Sequence, residues 1–332
     1  MAADREYLVG IYYFAGWWRE SPNKWETGGK DWRTDYPERI PILGQYNEQK
    51  TMDREIIAAS SHGVDFFQIL WYPNGGPLNE GVRTFMASPN AGRMKFVIEY
   101  VNHPPFDLPT NTEWEAACRE WCIAMKHPSY LRVGGRPVFK IHGAHFFFQQ
   151  NGSDSAKVKA RLDTFRRIAK ENSLPKPLIS SGVMAGVATG PAVEQYDFLT
   201  TYMDMPNLPQ KGEPYPYEAL IKLAEDGWMD HAKHDPKPYV PYLPSGWNPR
   251  PWKDPRPSFE MPTADEWESA LRRVKSVLDS SPKLGIPVNG GRQKAFLIYA
   301  WNEFGEGGII APTRGEGDMK LEAIRKVFGS NE

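Results

Sequence analysis

Residues 294–304 read KAFLIYAWNEF, an apolar run of strand length that ends in polar residues. Seven more such runs precede it along the chain: YLVGIYYF (7–14), VDFFQILWY (64–72), MKFVIEY (94–100), RPVFKIHG (136–143), KPLISSGV (176–183), DFLTTYMD (197–204) and YVPYLPSGW (239–247). Nearly continuous apolar strands of this kind are typical of a parallel sheet that is covered on both faces.

Helical patterns or helix-capable segments separate these runs. The clearest are TMDREIIAASSH (51–62), TEWEAACREWCIAMKH (112–127), SAKVKARLDTFRRIAKEN (155–172), PYEALIKLAEDGWMDHAK (216–233), TADEWESALRRVKSVLDS (263–280) and MKLEAIRKVFG (319–329). After the fifth run, GPAVEQY (190–196) predicts only a helix of barely two turns. Strict strand–helix alternation predicts a single (β/α)8 TIM barrel over residues 1–332. An open doubly wound sheet is the alternative, but no Gly-x-Gly-x-x-Gly turn follows any run.

The amino-acid composition limits the kinds of molecule that we expect this protein to bind. Of 332 residues, 40% are hydrophobic and 24% charged, and the formal net charge is −1, so the sequence predicts a globular protein without the basic surface that nucleic acids or anionic membranes require. It contains no apolar run of about 18 residues, which predicts no membrane span. The oligomeric state cannot be predicted from the sequence.

Localisation remains open. The first run begins within about seven residues of the N-terminus, which leaves no room for a signal peptide. We therefore expect a periplasmic or secreted protein if a leader has been removed, and a cytoplasmic one otherwise. Cys118 and Cys122 lie four residues apart in one helical pattern, so we expect core thiols rather than a disulfide. No His or Cys spacing indicates a metal, and no motif indicates a cofactor.

Polar and aromatic residues cluster where the runs end, which in a barrel is the face that carries chemistry. The chain has 12 Trp, 15 Tyr and 16 Phe, and aromatic rings suit the apolar faces of sugars. We predict the following sugar-binding candidates: Tyr13, Trp17, Tyr46, Trp71, Glu99, Asn102, Lys140, His142, Tyr202, Asp204, Trp247, Trp301 and Asn302. Further candidate site residues at the ends of these runs are Trp18, Tyr72, Tyr100 and His145. Three of the sugar-binding candidates have structural alternatives, since Glu99 and Lys140 also suit a buried ion pair, and His142 suits a hydrogen-bonded barrel histidine.

Glu303 and Glu306 are the candidate catalytic carboxyl groups. Cleavage of a glycosidic bond needs one carboxyl group as acid and another as base or nucleophile, about 5 to 10 Å apart. On a straight strand, residues three apart would face opposite ways, so FGEGG (304–308) must form a turn that brings the two side chains together. Proximity would also separate their pKa values and keep one carboxyl protonated.

Four segments resemble the glycoside hydrolase family 99 group and its WbsX-type relatives. IYAWNEFGEGGIIAPT (298–313) is similar to the group's strand-eight motif, and PILGQY (41–46), with the helix and strand that follow it, is similar to its Leu-Gly-x-Tyr segment. GIYYFAGWW (10–18) resembles its opening strand, and YLPSGWNPRPW (242–252) its strand-seven segment.

The resemblance implies retaining cleavage of an α-linked, α-mannoside-like oligosaccharide or polysaccharide through a 1,2-anhydro sugar. Glu303 would then deprotonate the substrate's 2-hydroxyl, and Glu306 would protonate the leaving oxygen and later activate water. Residues 94–235 match the group only loosely, which leaves the sugar and the linkage open. Two alternatives remain: a glycosyltransferase, against which the absence of an Asp-x-Asp pair argues, and a glycan-binding barrel without catalysis.

Overall fold

Eight parallel strands form the centre of the protein. The computed structural model describes residues 5–17, 23–183, 190–204, 208–209 and 212–329. In chain order the strands are β1 (Tyr7–Tyr13), β2 (Phe66–Trp71), β3 (Lys95–Tyr100), β4 (Arg136–Ile141), β5 (Leu178–Gly182), β6 (Phe198–Thr200), β7 (Tyr239–Val240 and Tyr242–Pro244) and β8 (Gly291–Tyr299). The first seven lie within apolar runs that were predicted as strands, and β8 begins three residues before its run. The predicted (β/α)8 barrel is confirmed.

The seventh strand closes the barrel. Its two short segments lie on either side of Pro241, which has no backbone N–H to donate to a neighbouring strand. The first segment pairs in parallel with β6, and the second pairs in parallel with β8. Since β8 also pairs with β1, the ladder runs around the whole ring.

Helices cover the outside of the barrel. They are α1 (Gln49–Ser60), α2 (Glu80–Ala87), α3 (Asn111–Met125), α4 (Ala144–Gln150), α5 (Ser155–Glu171), α6 (Tyr217–His234), α7 (Ala264–Ser280) and α8 (Met319–Phe328). Capping boxes start two of them: Thr110 and Glu113 exchange side-chain and backbone hydrogen bonds at α3, and Thr263 and Glu266 do so at α7. Within the described ranges, no helix is long and apolar enough to cross a membrane.

Three details differ from the sequence prediction. Helices α2 and α4 were not predicted; both are short, with 8 and 7 residues, and such lengths give a weak periodic signal. The predicted helix over 190–196 is a single 3-10 turn, Gly190–Ala192. Gly190 has a φ of +66° and Pro191 lacks an N–H donor, so neither residue supports a longer helix there.

Aromatic and branched side chains fill the interior and the layer beneath the helices. Trp121 and Phe165 pack against Phe139 of β4 and against each other, and Trp114 packs on Trp121. The two cysteines are buried and free, as expected for core thiols.

Candidate active site

A short hairpin at the carboxyl end of β8 carries both candidate glutamates. Asn302–Glu303 pairs antiparallel with Gly308–Ile309, and the backbone N–H groups of Glu306 and Gly307 both donate to the carbonyl of Glu303, at 3.0 and 2.8 Å. Gly307 has a φ of +87°, a conformation that favours glycine. The turn expected between the two glutamates is therefore present.

Asn302 fixes this hairpin to the end of β1. Its side-chain oxygen accepts from the backbone N–H of Phe14 at 2.8 Å, and its Nδ2 donates to the Phe14 carbonyl at 2.6 Å. On the other side, the N–H of Asn248, which follows β7, donates to the carbonyl of Glu306 at 2.6 Å. Contacts with the strands on both sides thus hold the glutamate backbone.

Each glutamate accepts a hydrogen bond from a tyrosine. Tyr202, which follows β6, donates to Oε1 of Glu303 at 2.6 Å. Tyr299, the last residue of β8, donates to Oε2 of Glu306. The guanidinium of Arg256 lies 3.7 Å from Oε1 of Glu306 and stacks over the ring of Trp247. Glu306 therefore has a cation beside it.

Burial raises the pKa values of both carboxyl groups, and the charge of Glu306 raises that of Glu303 further. Burial contributes most to the pKa of Glu303, the charge of Glu306 adds to it, and the result is about 8 despite the hydrogen bond from Tyr202. Burial also raises the pKa of Glu306, against the opposing effects of the Tyr299 hydrogen bond and the Arg256 charge. Near neutral pH the pair therefore retains a proton, which is the state that acid and base catalysis by two carboxyls requires.

A cavity of about 300 Å³ opens beside this pair at the carboxyl end of the barrel, the face that carries the chemistry in barrels of this kind. It is lined by His103, His142, Gly143, His145, Phe146, Gly182, Val183, Tyr202, Met203, Trp247, Arg256, Tyr299 and Glu306. Glu303 is 6% exposed and is linked to the cavity wall through Tyr202. The lining combines aromatic rings with hydrogen-bonding groups, a mixture that suits a sugar.

The structure brings together five of the predicted candidates at this cavity: Glu306, His142, His145, Tyr202 and Trp247. Glu99 and Lys140 lie beneath it, both fully buried, and form the ion pair that was their structural alternative. Their assignment to direct sugar binding stays a prediction, since neither lines the cavity.

Three aromatic candidates surround a different carboxyl group, Glu55 of α1. Tyr13 and Trp301 donate to Glu55 at 2.8 and 2.9 Å, and Tyr46 is buried nearby, where the charge of Glu55 raises its pKa in addition to burial. All three are less than 5% exposed. Tyr13 and Trp301 thus link the barrel to α1 in this structure, and sugar binding by the three aromatic residues stays a prediction.

The remaining candidates also lie apart from the cavity. Trp71 donates to Glu120 of α3 on the helix side of β2, Asn102 bonds the backbone of Gly143, and Asn302 bonds Phe14. Trp17 is buried against Trp25 and Phe304. The charge of Asp204 adds to burial in raising the pKa values of Tyr239 and Tyr242. Trp18 lies outside the described residues. Substrate binding by these residues stays a prediction.

Arg256, Tyr299 and His103 line the cavity but were not predicted. Tyr299 lies within the apolar run of β8, a pattern that does not distinguish a cavity residue from a core residue, and Arg256 lies in the loop after β7. The Arg-rich character of that loop was the available signal for Arg256.

One group of side chains in the described part of the chain could hold a metal ion. His62, Asp318 and Glu322 offer ligand atoms that all lie within 4.8 Å of one another. They lie at the end of α1 and the start of α8, and none of them lines the cavity. They take no part in the chemistry of the glutamate pair.

Comparison with known proteins gives matches in structure alone. No family model and no curated sequence matches this chain. Two solved structures of the GH99 endo-alpha-mannosidase from Bacteroides thetaiotaomicron align over 96% of this chain and 95% of theirs, with TM-scores of 0.59 and 0.61 and identities of 16% and 14%. A structure of fungal beta-1,4-galactanases aligns over 96% of this chain and 98% of its own, with a TM-score of 0.50 and 12% identity. The chain thus shares the barrel fold of these glycoside hydrolases, and its predicted resemblance to the family 99 group is confirmed in the fold.

Proposed function

We propose that this protein is a glycoside hydrolase in which Glu303 and Glu306 form the catalytic pair. The observation that carries the proposal is the hairpin after β8: Glu306 lines the cavity, Glu303 lies behind the cavity residue Tyr202, and each carboxyl group has a raised pKa and accepts a hydrogen bond from a tyrosine. Such a pair can hold one proton for the leaving oxygen while the other carboxyl acts as base. The glycoside hydrolases of similar fold support the same reaction class.

The substrate that we propose is an α-linked, α-mannoside-like glycan, in line with the resemblance to the family 99 group. The similar fold of the endo-alpha-mannosidase from Bacteroides thetaiotaomicron supports this choice of substrate. A cavity of about 300 Å³ has room for about one sugar ring beside the carboxyl pair.

A hydrolysis assay tests the proposal. Wild type, Glu303→Gln and Glu306→Gln are incubated with a panel of α-linked oligo- and polysaccharides, and released reducing sugar is measured. We expect wild type to cleave a member of the panel and both variants to lose at least about 10²-fold in rate. The exposed Glu260→Gln serves as the matched control and should retain full activity. Binding without cleavage would instead favour a glycan-binding barrel.

We further propose a retaining mechanism through a 1,2-anhydro sugar. Glu303 accepts the proton of the 2-hydroxyl, O2 attacks C1, and the C1–O bond to the leaving group breaks as Glu306 donates its proton to that oxygen. Water then gives a proton to Glu306 and attacks C1, the C1–O2 bond of the anhydro sugar breaks, and O2 recovers its proton from Glu303. Two inversions at C1 leave the configuration unchanged.

This mechanism starts with an ionised Glu303 and a protonated Glu306, whereas the charges in the free site favour a proton on Glu303 and an ionised Glu306. Arg256 favours ionised Glu306, and Glu303 has the pKa of about 8. Because the two carboxyls share one proton, a bound substrate can shift it: a 2-hydroxyl that donates to Glu303 favours ionised Glu303 and leaves the proton on Glu306. We therefore retain the roles that the resemblance implies.

Activated leaving groups test these roles. A dinitrophenolate departs without protonation, so Glu306→Gln should cleave a 2,4-dinitrophenyl glycoside much faster than an ordinary glycoside, while Glu303→Gln should be slow on both. The reverse pattern would exchange the two roles.

A further inference from the structure

Under the cavity, side chains from neighbouring strands share one hydrogen-bond network. Glu99 of β3 and Lys140 of β4 are paired in register, and Nζ lies 3.1 Å from Oε1 of the carboxylate. The same oxygen contacts Nδ1 of His142 at 2.7 Å, and Oε2 accepts from Gln68 at 2.6 Å. Both carboxylate oxygens are therefore engaged below the cavity.

Glu99 is ionised in this network. Burial raises its pKa, but the charge of Lys140 and the hydrogen bond from His142 outweigh that effect, and the pKa is lowered overall. An ionised carboxylate only accepts hydrogen bonds, so Nδ1 of His142 must carry the hydrogen. A neutral ring with hydrogen on Nδ1 has a free lone pair on Nε2.

The other side of the His142 ring faces the cavity. The side chain is 19% exposed, and among the described residues no partner contacts Nε2. Its ring lies 4.9 Å from that of Tyr202, the tyrosine that donates to Glu303. The acceptor nitrogen therefore lies one side chain away from the carboxyl pair.

We propose that Glu99 is a positioning residue that holds His142 in the Nδ1–H tautomer, so that Nε2 accepts a hydrogen bond from a sugar hydroxyl in the cavity. The role of the hydroxyl rests on the proposed glycosidase function; the tautomer does not. If the Glu99–Lys140 ion pair served only to join β3 and β4, its removal would leave the tautomer of His142 unchanged. The ligand group at this position must be a donor, which a hydroxyl is and a carboxylate or sulfate is not.

Nitrogen-15 NMR of the histidine rings tests the tautomer without any substrate. Spectra of uniformly labelled wild type are recorded near neutral pH, and the His142 signals are identified by their loss in His142→Gln. We expect a protonated Nδ1 and an unprotonated Nε2 in wild type. A protonated Nε2, whether or not Nδ1 also carries hydrogen, would overturn the proposal.

A double variant tests the dependence on Glu99. Glu99→Gln alone would leave the Lys140 ammonium buried without its counter-charge, so it is combined with Lys140→Met. We expect the His142 signals to move toward a mixture of tautomers, while those of His231, held by Asp235 at 2.8 Å, stay unchanged as the internal control. If the folded double variant keeps the pure Nδ1–H form, Glu99 does not set the tautomer.

Glycan binding tests the acceptor role and needs no destabilised variant, because His142 is partly exposed. We expect His142→Ala to lose about 3- to 10-fold in affinity, the value of one neutral hydrogen bond, measured as KM for a cleaved substrate or Kd for one that only binds. The monodeoxy analogue that lacks the donating hydroxyl should bind wild type more weakly than the parent glycan, by the same factor. His142→Ala should bind that analogue and the parent glycan with equal affinity. Equal affinities of wild type and His142→Ala would overturn the proposal even if the protein proves to be a glycosidase.

Discussion

At the scale of single residues, the site depends on two carboxyl groups that are hard to ionise together. Glu303 and Glu306 are separated by one turn, and each raises the cost of charging the other. Tyr202, Tyr299 and Arg256 offset part of that cost. The pair therefore has three states, and the one that carries a single proton is the state with both an acid and a base.

This arrangement predicts a bell-shaped dependence of kcat/KM on pH. The last proton leaves the pair at about pH 8, the pKa of Glu303, so activity should fall as the pH rises through that value. The acidic limb should lie above the usual range of glutamate, because the pKa of Glu306 is raised as well. Initial rates from pH 4 to 10 measure both limbs.

Arg256→Gln provides the matched test of that profile. Removing the cation disfavours ionised Glu306, so the acidic limb should move to higher pH. The alkaline limb should move less, since Arg256 is not among the influences on the pKa of Glu303. A flat profile in wild type, or an unshifted acidic limb in this variant, would contradict the assignment.

At the scale of elements, the hairpin after β8 determines where the carboxyl groups point. Gly307 has a φ of +87°, and a Cβ built there would lie 2.8 Å from the backbone nitrogen of Asn248. The backbone on both sides of this contact is tethered, so the turn has little room to relax. The geometry of the pair thus depends on a residue without a side chain.

Gly307→Ala should therefore reduce activity more than stability. We expect at least about 10-fold lower kcat, with unfolding destabilised by about 1–3 kcal/mol, the usual cost of such backbone strain. Gly290→Ala, in the loop before β8, is the matched control: its φ is also positive, at +81°, but no atom lies within 4 Å of the added Cβ. Equal activity in the two variants would show that the hairpin tolerates displacement.

Helix α1 is tied to the barrel through a buried carboxyl group that contacts no cation in the described part of the chain. Glu55 is fully buried and accepts from Tyr13 and Trp301. Burial raises its pKa from 4.5 to about 7. Since a carboxyl with a raised native pKa destabilises the fold once it must ionise, this contribution worsens as the pH rises from 4.5 through 7.

Glu55→Gln should remove that pH dependence. Between pH 5 and 9, we expect the free energy of unfolding of wild type to fall by roughly 2–3 kcal/mol more than that of the variant. Urea denaturation at each pH measures the difference. Parallel curves for the two proteins would mean that Glu55 does not titrate in this range.

At the scale of the whole molecule, the strand pattern made the barrel predictable. All eight apolar runs are strands, because buried parallel strands need continuous apolar sequence, a local property. Helices α2 and α4 escaped prediction because they are too short to show a clear period. The segment 190–196 was predicted wrongly, since the Gly-Pro pair at its start outweighed its helical composition.

The site was less predictable than the fold, because packing decides which polar residues face the cavity. The turn between Glu303 and Glu306 could be inferred from its glycines. By contrast, Trp301 and Tyr13 follow the same apolar pattern as cavity residues, but their side chains donate hydrogen bonds to Glu55 of α1. The sequence pattern does not reveal that contact. Arg256 comes from a long loop, whose path no periodic pattern specifies.

The most direct test of the central claim is a double-variant cycle on one cleaved glycan. Rates are measured for wild type, Glu303→Gln, Glu306→Gln and the variant with both changes. If the two carboxyls act as one catalytic unit, each single change should cost at least about 10²-fold and the double change hardly more than the worse single one. Losses that multiply, or a single variant with nearly wild-type rate, would contradict the account.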